Sequence, residues 1–121
     1  MWQYMQSTGH LIDPTGATIG TGYSGRGSGL NSPDAEDLTD VGPCPRGLWT
    51  IGAFFDDPGG KGPLVCHLTP QAETETFGRS GFMIHGDNAQ ANHTASEGCI
   101  VLAHDLRAAL DASADRLLEV I

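Results

Sequence analysis

The run Trp2-Gln3-Tyr4-Met5-Gln6, Ser7-Thr8-Gly9, His10-Leu11-Ile12, Asp13-Pro14-Thr15-Gly16 and Ala17 to Tyr23 decides the fold class, because short β-favouring segments alternate in it with turn residues. Asp13-Pro14-Thr15-Gly16 places proline second in a four-residue turn, where its fixed φ suits type I or II, and glycine last. A β-meander is expected over the first 23 residues. Beyond it the chain turns glycine-rich and then acidic, with Gly25, Gly27 and Gly29 before Asp34, Glu36, Asp37 and Asp40, which reads as a long surface loop. Loops of that length inside a compact domain are uncommon and often functional, so this one is a candidate border of a cleft as well as a plain solvated segment.

Further strands are expected at Leu48 to Ile51, Pro63 to Leu68, Gly81 to His85 and Leu117 to Ile121, with a pronounced loop from Asp56 to Gly62. Leu102, Leu106, Ala109 and Leu110 recur at helical spacing, and Asp105 lies near the amino end where the helix dipole favours an acid, so a helix is expected over 103–112. The expected fold is therefore mainly β, a sheet or sandwich with one short helix toward the C-terminus, in one domain over residues 1–121. Seventeen glycines and seven prolines in 121 residues argue against a helical bundle.

Charge and cysteine count narrow the partners. Six Lys and Arg against fifteen Asp and Glu leave a net charge of −9, and the basic residues do not cluster. Such a field repels phosphate backbones, so nucleic acid is not an expected partner. No apolar run approaches the ~20 residues of a membrane span, and Met1 to Gln6 has neither a basic n-region nor an apolar h-region, so neither membrane insertion nor Sec-type export is expected. Cys44, Cys66 and Cys99 form an odd set without C-x-x-C spacing, which indicates neither a disulfide framework nor a zinc knuckle. At least one thiol stays free; Cys44 with Cys66 is the least disruptive pair to bridge in an oxidising compartment.

The chemistry-bearing segment is Gly78-Arg79-Ser80-Gly81-Phe82-Met83-Ile84-His85-Gly86-Asp87-Asn88, followed by Ser96-Glu97-Gly98-Cys99-Ile100-Val101-Leu102. It brings a histidine at a strand mouth and a cysteine into one β-loop-β stretch. Thiol acyl transfer needs a thiolate, an imidazole to take and return the proton, and backbone amides around the developing oxyanion. Cys99, His85 and the amides near Gly98 and Cys99 are the candidates for those roles. Taken alone, Cys99 reads rather as an inert core thiol, since Ile100-Val101-Leu102 follow it; the whole pattern favours the reactive reading.

The order Ile84-His85-Gly86, a polar loop, then Ser96-Glu97-Gly98-Cys99-Ile100 resembles the signature of the L,D-transpeptidase (YkuD-like) cysteine enzymes. With Gly22-Tyr23-Ser24-Gly25, Val41 to Gly47, Thr50-Ile51-Gly52, Leu68-Thr69-Pro70 and Phe77 to Phe82, the likeness runs nearly end to end, and the chain resembles more particularly one branch, the L,D-transpeptidase-related effector domain of type VI secretion systems. The resemblance implies that Cys99 attacks a peptidoglycan stem tetrapeptide at the meso-diaminopimelate carbonyl. D-Ala leaves, and the acyl group passes to water or to a free D-amino acid. It further implies no cofactor, delivery by a secretion apparatus to the periplasm of a neighbouring cell, and a cognate immunity protein.

One departure matters. The histidine that ordinary L,D-transpeptidases carry two residues before the cysteine is Glu97 here. His85 is then the first candidate for the proton acceptor and His93 the second, with Asp87 either orienting an imidazole or capping its loop. Arg79 is a candidate fork for the stem peptide's carboxylate, although a structural salt bridge is the commoner fate of such a residue, and Gly86, Asn88, Ser96 and Glu97 are candidates for substrate contact, Glu97 reading equally as a solvated carboxylate. Two other readings compete: a non-catalytic peptidoglycan-binding or interaction module, and a zinc peptidase using His85, Asp87 and His93. The expected metal requirement is none.

Overall fold

A computed structural model describes residues 1–121. The meander forms as expected: β1 (Trp2–Tyr4), β2 (His10–Ile12) and β3 (Thr18–Thr21) pair antiparallel in sequence order. Asp13 builds the Pro14–Gly16 turn, its carboxylate accepting from the Thr15 and Ala17 amides. The expected strand Ala17 to Tyr23 instead splits at Gly22 into β3 and β4 (Tyr23–Ser24), and β4 pairs with the opposite end of the sheet. Gly22 permits the change of partner: a Cβ there would lie 2.0 Å from the Val101 carbonyl.

The remaining elements are β5 (Gly47–Ile51), β6 (Phe55–Asp57), β7 (Gly62–Pro70), β8 (Met83–His85), β9 (Ile100–Val101), α1 (His104–Ala112) and β10 (Leu117–Val120). The strand path is β3-β2-β1-β10-β5-β7-β8-β9-β4, with β6 alongside β7. The sheet is mixed: β10 runs parallel to β1, and β9 parallel to β8. β6 was not expected, since Asp56-Asp57 reads as turn; it forms because Phe55 and Asp57 pair with Val65 and Gly62 across a bulge.

β7 joins two halves. Its C-terminal residues pair with β5 and its middle with β8, where Cys66 faces Ile84. One apolar cluster lies between them, with Trp2, Tyr4, Trp49 and Leu118 from one half and Phe82, Ile84, Ile100 and Leu102 from the other. Trp49 meets Phe82 edge-on, ring centroids 5.0 Å apart. Helix α1 turns Leu106 and Leu110 into this core, and its buried Arg107 donates to the carbonyls of Leu102, Pro63 and Leu64. All three cysteines are free thiols, Cys44 and Cys66 within the core, so the Cys44–Cys66 bridge does not form.

The acidic loop carries two short 3-10 turns, Gly27–Gly29 and Pro33–Ala35. It is anchored where Glu36 accepts from Gln6 and pairs with Arg46 at 2.7 Å. Its Thr39 and Asp40 border the recess that holds Cys99, as a cleft-lining loop would.

Candidate active site

β8 and β9 lie side by side in parallel, with Ile84 opposite Ile100 and His85 opposite Val101. That register carries Cys99 next to Met83, with His85 two residues further along on Met83's face of the strand. Cys99 is partly exposed in a recess of about 280 Å³ lined also by Lys61, Arg79, Gly81 and Gly98. Its thiol points to the Gly81 carbonyl, Sγ to O 3.8 Å. Burial pushes that thiol up, while the Met83 amide and the Lys61 charge act the other way. In the resting protein Cys99 is therefore a neutral thiol, one that would have to lose its proton to act as a nucleophile.

His85 is buried, and its Nδ1 lies 2.7 Å from the Gly86 carbonyl. A carbonyl only accepts, so Nδ1 carries the proton and Nε2 the lone pair. Nε2 is buried without a partner. Burial, reinforced by Lys61 and Arg107, holds the imidazole below its ordinary 6.5 and hence neutral at pH 7. A neutral ring with an unengaged lone pair is the state a proton acceptor requires.

Serine hydroxyls hold the cysteine backbone from below. Ser24 accepts from the Cys44 amide at 2.8 Å, and its hydroxyl reaches the Cys99 and Gly98 carbonyls at 2.9 and 3.2 Å. Ser96 accepts from the Gly25 and Gly98 amides and donates to the Cys99 carbonyl at 2.5 Å. Ser96 is thus fully buried and saturated, which removes it as a substrate contact. Of the two amides expected around an oxyanion, that of Gly98 is engaged with Ser96, whereas that of Cys99 has no acceptor in the protein. Gly98 must remain glycine: its φ is +140°, and a Cβ would stand 2.6 Å from Arg79 Nη2.

Arg79 takes a structural place, through backbone carbonyls rather than a salt bridge, and not that of a substrate fork. Its Nη1 donates to the Glu36 and Pro43 carbonyls and its Nη2 to those of Gly42 and Glu97, at 2.6 to 3.2 Å. The fork is filled by the protein's own carbonyls, and Arg79 clamps the acidic loop to the residue preceding Gly98. Glu97 itself is exposed, 3.8 Å from Arg26.

Asp87 accepts from the Tyr23 hydroxyl at 2.7 Å and from the Asn88 amide, and bonds no histidine. Burial and Asp87 together push the Tyr23 phenol up to about 12. Tyr23 also accepts from the Ala95 amide, so it staples both ends of the 87–95 loop. The Asn88 side chain bridges Thr94 and Ala91 within that loop. His93 packs edge-on against Tyr23 in a separate recess with Thr21 and Val101, whereas His85, Gly86 and Asn88 line another beside Lys61. No three His, Cys, Asp or Glu side chains gather as a set of metal donors.

Sequence reading missed Lys61, which borders both the Cys99 and the His85 recess. The turn-rich Asp56 to Gly62 segment gave no sign of which residue would face the site. Tyr23 and Ser24 were visible only as part of a motif.

The chain is thus a mixed β-sheet protein in which Cys99, just before β9, and His85, at the end of the parallel neighbour β8, line two recesses that share Lys61. A family model, the Tlde1 domain, matches residues 18–118, and the chain belongs to the Tlde1 family. Membership carries the coarse assignment of a type VI secretion effector. The chain has no match among curated proteins or solved structures. No helix is long and apolar enough to cross a membrane.

Proposed function

We propose that the protein is a cysteine L,D-carboxypeptidase and L,D-transpeptidase that acts on peptidoglycan stem tetrapeptides as an antibacterial toxin in the target-cell periplasm. The observation that carries this reading is the partnerless, buried, neutral Nε2 of His85 on the strand beside Cys99. His85 Nε2 takes the thiol proton as Cys99 Sγ bonds to the carbonyl carbon of the third stem residue. The tetrahedral oxyanion is met by the Cys99 amide. Collapse breaks the C–N bond, the D-Ala amine leaves with the proton from the imidazolium, and a thioester remains. Water, deprotonated by His85, completes hydrolysis; a D-amino acid amine completes exchange. Either product depletes cross-link donors, and an immunity protein would guard the producing cell.

Mass spectrometry of disaccharide tetrapeptide, incubated with wild type and Cys99→Ala, with and without a D-amino acid and a chelator, tests the reading. Loss of D-Ala or its replacement, dependent on Cys99 and indifferent to chelator, is expected. An unchanged tetrapeptide that still binds the protein would instead support a binding module, a reading favoured by the raised Cys99 thiol and by Glu97.

A further inference from the structure

Five of the six basic side chains are committed within the protein. Arg46 pairs with Glu36, Arg26 with Glu97 and the Asp40 carbonyl, and Arg79, Arg107 and Arg116 donate to backbone carbonyls. Lys61 alone has no side-chain partner, in a chain with fifteen acids. The two acids nearest in sequence are occupied: Asp57 accepts from the Lys61 amide and Asp56 from the Leu64 amide. Those bonds set the shape of the turn and leave the ammonium exposed between the recess of Cys99 and that of His85.

We infer that Lys61 is a substrate-binding residue that receives the free α-carboxylate of the residue leaving from the acyl donor, and so restricts cleavage to the last residue of a peptide. The inference rests on the cysteine acyl-transfer reading above. The leaving amine collects its proton from His85, so the leaving residue lies on the His85 side of Cys99. Its carboxylate is one carbon beyond that nitrogen, beside the recess that Lys61 borders. The other cation lining the Cys99 recess, Arg79, has both terminal nitrogens bonded to carbonyls. An internal peptide bond presents no carboxylate there and would leave Lys61 unpaired.

Two measurements test this. Cys99 is alkylated at mildly alkaline pH with iodoacetate, an anion, and with iodoacetamide, its neutral analogue. The rate ratio cancels changes in thiolate population. Relative to wild type, Lys61→Gln should lower the iodoacetate to iodoacetamide ratio about fivefold, the order expected of one partly screened charge, Lys61→Glu should lower it further, and added salt should compress the difference. An equal ratio in wild type and Lys61→Gln overturns the inference and leaves Cys99 a nucleophile. Resistance of Cys99 to both reagents overturns the proposed function and this inference with it. In the second measurement, the KM of wild type should be lower for the free-acid tetrapeptide than for its C-terminal amide, and Lys61→Gln should erase that preference. An unaltered preference overturns the assignment. A shifted alkylation ratio with no tetrapeptide turnover keeps the anion subsite and refutes the tetrapeptide as substrate.

Discussion

Replacing Arg79 by Met keeps the aliphatic bulk over Phe82 and deletes the guanidinium that sits 5.2 Å from that ring. Four carbonyls lose their donor. Those of Glu36 and Glu97 are part-buried and recover water, but the bonds to Gly42 and Pro43 are buried. Two buried acceptors left unsatisfied cost about 1–3 kcal/mol each, so Arg79→Met should lose about 4 kcal/mol of a total near 5–15 kcal/mol. At this chain length that corresponds to a Tm lower by roughly 10–20 °C. Arg79→Lys should recover only part of it, because an ammonium has three donors and no planar fork. Thermal and urea unfolding read the loss directly. Activity should fall as well, since the Glu97 carbonyl that Arg79 holds precedes Gly98 and Cys99. If Arg79→Met unfolds within about 1 kcal/mol of wild type while KM rises, the guanidinium is free for substrate and the clamp is refuted.

Cys99→Ala should abolish turnover and His85→Ala nearly so, each with unchanged far-UV circular dichroism; full activity of Cys99→Ala refutes the mechanism. The acid limb of kcat/KM should fall below pH 6.5, since burial lowers the His85 imidazole, and the thiol limb of iodoacetamide alkylation should lie above 9. Stability should follow the same signs. It is lost as pH drops below 6.5, where unfolded His85 binds a proton that the folded ring refuses, and again above about 9, where unfolded thiols ionise while Cys99 and Cys66, the latter pushed up to about 11, do not. Tyr23→Phe should cost about 1–2 kcal/mol and raise amide hydrogen exchange across 87–97, because it removes the hydroxyl that joins Asp87 to Ala95. Gly98→Ala should cost more than about 2 kcal/mol, through its positive φ and the clash with Arg79, seen as a lower midpoint in urea.

Local chemistry made the elements legible. Asp13-Pro14-Thr15-Gly16 encodes its turn, the spacing of Leu102, Leu106 and Leu110 encodes α1, and the apolar run ending at His85 encodes β8, each within a few consecutive residues. Strand partners were not legible. Nothing near Gly22 states that the chain there leaves β2 for β9, because the reason is a carbonyl of Val101, far along the sequence. β6 was hidden for the same reason: its pairing with β7 overrides a sequence that reads as turn.

The candidate site divides along the same line. The sequence by itself determined that a histidine and a cysteine end neighbouring β segments, since residue type and strand pattern are local properties. Only the tertiary structure decided what each polar group is free to do. Hydrogen-bond capacity is finite, and a donor is available to a substrate only if no distant part of the chain has already taken it. Arg79 and Ser96 are used up by carbonyls and amides from the 24–45 segment, the Gly98 amide by Ser96, and Asp87 by Tyr23. His85 Nε2, the Cys99 amide and the Lys61 ammonium are what remain.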